Sequence, residues 1–340
     1  EFEIIQMPFW LLGLDDLCLL MNVTSKEQIP FIEKALKLVS YFSRNEDEVI
    51  NQKNDIIARC LLDVLFSGKT PSMIRNKIIS ILTKFNTKNL NLDVNLVKGG
   101  WTRTIRQCLF VEAGGEFSDV EVVIEYLESL CLNGFELSMP NGEFMYTMQD
   151  FSIALDFALV SEGALNSDSA FELSNILKVR FNSLMNSNYA RYFEFNGYIN
   201  RDGYINYLLT CPNGRKAQIV NFNINYVDDR FAKTLVKIYS KLLFDYLVTL
   251  NQRGSIPFHI VLEEAHRYVQ NDDDAKILGY NIFERIAKEG RKYGLFLGIV
   301  SQRPSELSET TISQCSNFLL FKMFHPKDLQ FIKDIISSAD

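Results

Sequence analysis

FHIVLEEAHRYV, residues 258–269, decides the fold of this chain. Its first five residues are largely apolar, which is typical of a strand inside a covered parallel sheet. The strand leads directly into Glu263 and Glu264. Because open parallel sheets bind ligands beyond the carboxyl ends of their strands, this acidic pair is a candidate site. The pair could instead form an acidic start to the following helix, which the helix dipole favours.

Strands and helices alternate around this stretch from about residue 216 onward. Further strands are predicted at AQIVNFNI (217–224), LFLGIV (295–300) and FLLFKM (318–323). Helices are predicted over 228–250, with Asp228 or Asp229 as N-cap, over 275–290, closed by Gly290, and over 305–315. This alternation predicts an α/β fold with a mostly parallel sheet covered on both faces.

The chain up to about residue 215 is predicted to be helix-rich. Apolar residues recur with helical period in four segments: 29–43, 54–66, 72–85 and 169–185. Residues 86–101 are polar and glycine-containing, which indicates an exposed connection. This region is therefore predicted to be a helical subdomain and not a catalytic sheet.

The segment SGKT, Ser67 to Thr70, invites comparison with a phosphate-binding loop. Such a loop needs the pattern GxxxxGK[ST] between a strand and a helix. Asp63 stands where the first glycine should be, the preceding segment has a helical pattern, and Pro71 follows. The sequence therefore predicts a corner between two helices and not a phosphate-binding loop.

Composition restricts the class of protein. The 340 residues carry a net charge of −7, with a sequence pI of about 5.2. This balance argues against a protein that coats nucleic acid over its whole surface, but a narrow basic channel stays compatible with it. Six scattered cysteines and three histidines indicate buried, reduced thiols in a cytosolic protein and disfavour a multi-histidine metal centre.

The ends of the sequence have no terminal features. The chain begins without an initiator methionine or a signal-peptide pattern, and no apolar run has the length of a membrane span. We therefore expect a protein that is not membrane-embedded and a sequence that starts and stops within a longer chain.

Two further polar positions stand beside predicted strands. Gln302 follows the strand LFLGIV, where a neutral amide could hold an attacking water or sense a γ-phosphate. Arg291 lies in the turn before that strand, from which an arginine could reach the nucleotide of a neighbouring subunit. Arg291 could instead be a surface residue that interacts favourably with a helix C-terminus.

Three motifs together resemble the HerA family of DNA-translocating ATPases, within the HerA/FtsK group of P-loop NTPases. They are VLEEAH (261–266), EGRKYG (289–294) and SQRP (301–304). Similarity to the family also extends to residues 312–332 and, more loosely, to residues 7–17 and 179–195. The resemblance implies that an N-terminal barrel and the phosphate-binding loop (Walker A) lie upstream of this chain.

The resemblance also implies a fold and a division into domains. It implies a RecA-like P-loop NTPase core with a mostly parallel sheet, interrupted by a helical insertion subdomain. Residues 1–25 would be the N-terminal piece of the core, 26–190 the insertion, and 191–340 the core with its Walker B, sensor and arginine-finger region.

The resemblance further implies a role for each site residue, with ATP and Mg²⁺ as cofactors. Glu263 would position the metal ion, and Glu264 would be the catalytic carboxylate. Gln302 would be the sensor, and Arg291 would act in trans as an arginine finger. All four would contact the bound nucleotide or its metal.

The function implied is a cytoplasmic, homo-hexameric ATPase that threads double-stranded DNA through its central pore. Such a helicase-type translocase would work with a nuclease or sirtuin-like effector subunit in DNA repair or antiviral defence. A second hypothesis is a ring scaffold that holds effector subunits with slow or regulatory hydrolysis. A third is a secretion or conjugation ATPase, which the lack of a membrane-anchor segment disfavours. Lys98, Arg103 and Arg106 are candidate DNA contacts, although a solvated loop explains them equally well.

Overall fold

The computed structural model describes residues 4–44, 46–142, 144–162, 168–224 and 226–337. The chain divides into two compact units. The first comprises residues 1–22 and 27–198, and the second comprises 23–26 and 199–340. The predicted division at residues 25 and 190 stays a prediction, and its outermost residues, 1–3 and 338–340, lie outside the described residues.

The first unit is helical, as the sequence predicts. Its helices are α1 (Leu14–Leu20), α2 (Ile29–Phe42), α3 (Glu46–Leu65), α4 (Pro71–Lys84), α5 (Ile105–Cys108), α6 (Val120–Leu130), α7 (Met148–Glu162) and α8 (Asp168–Met185). The four predicted helical segments are confirmed as α2, α3, α4 and α8. Helices α2 and α7 pack against each other, as do α3 and α6. Edge-to-face contacts among Phe9, Phe151 and Phe181 fill part of the core.

Residues 86–101 are not simply an exposed connection, so that prediction was wrong. Strands β1 (Asn95–Lys98) and β2 (Trp101–Thr104) pair as an antiparallel hairpin. Gly99 and Gly100 both have positive φ, at 56° and 91°, as a tight two-residue hairpin turn requires. Leu90, Leu92 and Leu96 are buried, and their polar neighbours conceal this spacing in the sequence.

The predicted helix corner at SGKT is confirmed. Helix α3 precedes it, Gly68 takes a positive φ of 69° in the turn, and α4 begins at Pro71. Proline suits the first turn of a helix because its missing N–H would have no helical partner there. A helix stands where a phosphate-binding loop needs a strand.

The second unit combines helices with a parallel strand pair. Its elements are α9 (Arg201–Leu208), α10 (Asp229–Thr249), β3 (Phe258–Leu262), α11 (Asp274–Ile277), α12 (Ile282–Glu289), β4 (Leu295–Ile299), α13 (Glu309–Ile312) and α14 (Pro326–Ser337). Strands β3 and β4 run parallel, with Phe258 opposite Leu295 and Leu262 opposite Ile299. The Asp228 carboxylate accepts a hydrogen bond from the Phe231 N–H at 2.9 Å, which confirms it as the N-cap of α10. The chain is thus a mixed α/β protein.

The sheet is smaller and more open than predicted. Residues 217–224 and 318–323 form no strand, and Ile219 and Leu319 are 89% and 88% exposed. An apolar pattern favours a strand, but a strand forms only where a neighbour supplies a ladder of hydrogen bonds. Among the described residues, the structure pairs only the start of the first segment, where the Ala217 N–H donates to the Leu209 carbonyl at 2.8 Å. His259 and Val261 of β3 are also exposed, so the prediction of a sheet covered on both faces was wrong for this pair. The RecA-like core stays a prediction.

The predicted helix over 275–290 is divided in two. Gly279 has a φ of 86°, and the Asn281 side chain accepts hydrogen bonds from the backbone of Phe283 and Glu284 at the start of α12. Gly290 is the C-cap of α12, which confirms that it closes the helix, but its φ of −53° is not left-handed. The left-handed residue is Gly294, at φ 81°, after a 3₁₀ turn over Gly290–Tyr293.

A buried ion cluster ties α10 to the start of α11. The Lys237 side chain is 4% exposed and forms ion pairs with Asp272 and Asp274. Burial acts to raise the pKa of Asp272, but the hydrogen bond and charge of Lys237 outweigh it, so that pKa lies below its ordinary value. At Asp274 burial dominates and the pKa is raised. Lys233 also lies 3.2 Å from Asp272, so the two lysines together offset the repulsion between the two carboxylates.

All six cysteines are free thiols, and Cys18, Cys60 and Cys108 are buried. Across the parts of the chain with described coordinates, none of the helices combines the length and apolar character needed to cross a bilayer.

Candidate functional site

The chain makes a constrained turn where β3 ends. Glu264 adopts a left-handed conformation, with φ 50° and ψ 43°, before a 3₁₀ turn over Ala265–Arg267. For a residue with a side chain this conformation costs about 1–2 kcal/mol, so the surroundings must hold it. They do so through the neighbouring strand, since Ala265 N–H donates to the Val300 carbonyl and Val300 N–H to the Leu262 carbonyl, each at 2.9 Å.

The Glu264 carboxylate meets two side chains at this edge. Gln302 Nε2 donates a hydrogen bond to Glu264 Oε1 at 2.8 Å. His266 Nδ1 lies 3.4 Å from Glu264 Oε2 and 3.3 Å from the Ser301 hydroxyl. The structure therefore brings Glu264 and Gln302 together, as their positions at the ends of adjacent strands predict. We call Glu264, His266, Ser301 and Gln302 the strand-end cluster.

The geometry of the turn after β3 bears on whether Glu263 and Glu264 form an acidic start to the helical turn that follows. Glu264 occupies the N-cap position of the 3₁₀ turn, yet its side chain makes no capping hydrogen bond. Its carboxylate points to the strand-end cluster and remains 42% exposed. Glu264 is thus oriented by side chains from β4 and its own turn while it stays open to solvent and ligands.

Glu263 faces solvent beside this cluster. Its side chain is exposed and has no hydrogen bond or ion pair to any residue that the structure describes. Among those residues no group of three or more histidine, cysteine, aspartate or glutamate side chains could hold a metal ion by itself. Mg²⁺ usually takes only one or two protein carboxylates, with water and substrate phosphates completing its shell. The donor chemistry of Glu263 fits such a shared site.

Arg291 lies away from the strand-end cluster. It is exposed in the 3₁₀ turn over Gly290–Tyr293, which precedes β4, whereas Glu264 follows β3. Because the two strands are parallel, these positions are at opposite ends of the pair, about 16 Å of strand apart. Within one chain the structure does not bring Arg291 to Glu264.

Two glycines in EGRKYG have structural roles that sequence alone did not reveal. A Cβ at Gly290 would lie 2.5 Å from the Leu295 carbonyl oxygen, and one at Gly294 would lie 2.9 Å from the Ile256 carbonyl oxygen. Gly294 also has positive φ, which favours glycine. These glycines allow the turn to pack closely against the start of the strand pair.

Sequence reasoning missed His266 as a member of the site. The residue lies two positions after Glu264, a spacing that in a helix would direct it to the opposite face. The left-handed residue and the 3₁₀ turn instead return the imidazole to the carboxylate. The signal available in the sequence was the place of His266 in the motif VLEEAH.

The candidate DNA contacts in the first unit are paired with acids. Arg103 forms an ion pair with Asp119, Arg106 lies 3.6 Å from Asp93, and Lys98 lies 3.5 Å from Glu125. These acids offset the positive charge that DNA phosphates would need. The arrangement favours a solvated, ion-paired surface over a DNA-binding one.

Comparison with known proteins gives partial matches. No protein-family model matches the chain. A probable helicase of Methanocaldococcus jannaschii is 39% identical over 103 residues, which cover 30% of this chain and 19% of that protein. The DNA double-strand break repair helicase HerA of Pyrococcus furiosus is 38% identical over 79 residues, or 22% of this chain and 13% of that protein.

A third relative matches a longer stretch of this chain. The DNA double-strand break repair helicase HerA of Saccharolobus solfataricus is 30% identical over 122 residues, which cover 35% of this chain. The matches span between 13% and 24% of the length of these three relatives. Together with a probable helicase and further HerA proteins of archaea, all at 30–41% identity over partial regions, they support the assignment of this chain to the HerA family.

Proposed function

We propose that this protein is a DNA-repair helicase or translocase driven by ATP hydrolysis at Glu264. The HerA proteins that it resembles are named as DNA double-strand break repair helicases, which supports DNA as the substrate. The observation that carries the proposal is the hydrogen bond from Gln302 to Glu264 at the carboxyl end of the parallel pair. Ligands of open parallel sheets bind at this edge.

Glu264 acts on the attacking water in this proposal. Its carboxylate is solvent-accessible, fixed by the left-handed turn and oriented through Oε1 by Gln302. A positioned carboxylate can accept the proton of a water that attacks a phosphoryl group, or orient that water in line. Gln302 serves as the sensor, because its amide can move from Glu264 to a phosphate oxygen when a nucleotide is present.

Glu263 holds the Mg²⁺ that accompanies the nucleotide. Its exposed carboxylate, next to Glu264 in the chain, supplies one oxygen ligand and leaves the rest of the shell to phosphates and water. The bound ion would neutralise charge on the phosphates. The proposed core is RecA-like, and its phosphate-binding loop is not SGKT, because a helix precedes that turn.

Arg291 acts on the nucleotide of a neighbouring subunit. Its distance from the Glu264 end of its own strand pair supports action in trans, which places ATP between subunits of a homo-hexamer. Double-stranded DNA would pass through the central pore, and a nuclease or sirtuin-like effector would use the motor in repair or antiviral defence. Hydrolysis at subunit interfaces would then couple ATP turnover to DNA movement.

The test is ATP hydrolysis by the full-length natural protein with and without duplex DNA. Duplex DNA should stimulate turnover, and the protein should displace a third strand from a triplex reporter only when ATP is present. Absence of both stimulation and displacement would contradict a translocase. An intact effector complex with full activity in the Glu264→Gln variant would instead favour the ring scaffold.

A further inference from the structure

A pocket of about 440 Å³ lies beside the strand-end cluster in the second unit. Its walls come from the first turns of α10, the 3₁₀ turn after β3 and the turn that follows β4. Four cationic side chains line it, Arg230, Lys233, Arg267 and Arg303, together with the carboxylates of Asp229 and Glu306. We call it the basic pocket.

The basic pocket contrasts in charge with the protein around it. Four cations against two carboxylates leave two positive charges among its lining residues, whereas the whole chain carries −7. Asp272, outside the lining, offsets part of this excess, because it lies 3.2 Å from Lys233. A local concentration of one sign attracts counter-charged ligands whatever the net charge of the protein. The pocket therefore favours an anion.

The cations are held in position and keep donors for a ligand. Arg267 uses Nε and Nη2 to bind Asp229, and Arg303 uses Nη1 to bind Glu306 at 3.1 Å. A guanidinium has five N–H donors, so each of these arginines retains several. Arg230 is exposed and has no side-chain hydrogen bond or ion pair within the described part of the chain. The two carboxylates thus orient the pocket without saturating it.

The lining also indicates which anion fits. No aliphatic side chain lines the basic pocket, and the one aromatic ring in its lining, the His266 imidazole, is only 17% exposed and lies against Glu264 and Ser301. The lining therefore offers no open apolar or aromatic face to hold a purine or to stack on an unpaired base. Phosphate groups of a duplex, in contrast, are bound by arginine and lysine without any contact to bases. The chemistry points to backbone phosphate and not to a nucleotide or a single strand.

We propose that the basic pocket binds a phosphodiester group of the duplex DNA backbone. This proposal rests on the proposed function and assigns DNA contacts to it. His266 lines the same pocket and lies 3.4 Å from Glu264. A DNA phosphate in the pocket is therefore separated from the proposed catalytic carboxylate by one imidazole, which gives a direct route from DNA contact to ATP turnover.

The salt dependence of duplex binding tests the proposal. Affinity of the full-length natural protein for a fluorescent duplex is measured between 50 and 200 mM salt, with a non-hydrolysable ATP analogue present. In the Arg230→Gln/Arg303→Gln variant, loss of the single phosphate contact should reduce the slope of log affinity against log salt by about 0.9. The ratio of parent to variant affinity should accordingly shrink by about 3.5-fold across this range. The Arg230→Lys/Arg303→Lys variant should keep a slope close to that of the parent, because lysine retains the charge.

A matched control separates the pocket from general charge. Arg215→Gln/Arg253→Gln removes the same charge from two exposed arginines outside the pocket and should leave the slope unchanged. An equal loss of slope in this control, or an unchanged slope in the pocket variant, would overturn the proposal while the proposed function stands. Weaker binding of the ATP analogue by the pocket variant with normal DNA binding would also overturn it, in favour of a nucleotide phosphate. Failure of the parent protein to bind duplex DNA would refute the proposed function and the pocket together.

Discussion

Replacement of Gln302 by alanine isolates the contact that orients Glu264. The bond it removes joins Gln302 Nε2 to Glu264 Oε1 at 2.8 Å. A hydrogen bond to a charged group contributes about 1.5–3 kcal/mol where solvent is excluded. Here the Glu264 side chain is 42% exposed, so water replaces much of the lost bond. We expect the free energy of unfolding to change by less than about 0.5 kcal/mol.

Turnover should respond far more strongly than stability. A positioned general base contributes about 10²- to 10⁴-fold to the rate, and small displacements of a reacting group remove much of that gain. With Oε1 released and only His266 near Oε2, Glu264 can leave its orientation. We expect kcat for ATP to fall by about 10- to 100-fold, with KM changed less than about threefold.

The assay is steady-state ATP hydrolysis by the full-length natural protein with saturating duplex DNA, alongside thermal unfolding of each variant. Gln252→Ala is the matched control, because Gln252 is an exposed glutamine in a turn of the same unit. Gln302→Glu should lower kcat at least as far as Gln302→Ala does, since a second carboxylate would repel Glu264. An unchanged kcat in Gln302→Ala, or the same loss in Gln252→Ala, would refute the orienting role.

Three further predictions concern stability and the helix corner. Lys237→Met removes the cation of Asp274 and leaves Asp272 with Lys233 alone, at 3.2 Å, and should lower the free energy of unfolding at pH 7 by about 2 kcal/mol, as measured by urea denaturation. Because the pKa of Asp272 lies below its ordinary value in the folded parent, its stabilising contribution is present above that ordinary value and is lost as the pH falls through the folded pKa. In Lys237→Met both carboxyl groups lose the charge that lowers their pKa values, so they take up protons at higher pH and the deficit in free energy of unfolding relative to the parent should shrink in acid. A pH-independent deficit would contradict this explanation. Gly290→Ala should destabilise by about 2 kcal/mol in the same measurement, because its Cβ would meet the Leu295 carbonyl oxygen at 2.5 Å; a neutral effect would show that the turn relaxes. Lys69→Ala should leave ATP binding unchanged in a fluorescent-nucleotide titration, and loss of binding would show that SGKT contacts phosphate after all.

The strand pair shows how far the sequence determines this fold. FHIVL and LFLGIV were both predicted as strands, and the structure pairs them in parallel register. AQIVNFNI and FLLFKM have the same apolar character and form no strand. Strand formation depends on a hydrogen-bonding neighbour as well as on composition, and a single segment does not reveal its neighbours.

The strand-end cluster was predictable only in part. Adjacent parallel strands bring their carboxyl ends to one edge, so the meeting of Glu264 and Gln302 follows from topology. The contact to His266 depends on the left-handed backbone of Glu264, a conformation that no residue type in VLEEAH announces. The position of Arg291 at the other end of the pair also follows from the strand order, since it precedes β4.

The basic pocket shows the limit of sequence reasoning more sharply. Arg230, Arg267 and Arg303 are separated by more than thirty residues each along the chain, so no basic run marks them. Their convergence requires the start of α10 to lie beside the turns that follow β3 and β4. Lys98, Arg103 and Arg106, which do cluster in the sequence, are instead offset by acids in the structure.

The most direct test of the central claim is ATP hydrolysis by the Glu264→Gln variant. Glutamine is nearly isosteric with glutamate and can still contact Gln302, but it cannot accept a proton from water. We predict that DNA-stimulated turnover falls by at least about 100-fold while binding of a non-hydrolysable ATP analogue is retained. Glu112→Gln, at an exposed glutamate of the first unit, should keep the parental rate. Turnover at the parental rate in Glu264→Gln would contradict the assignment of Glu264 as the catalytic carboxylate.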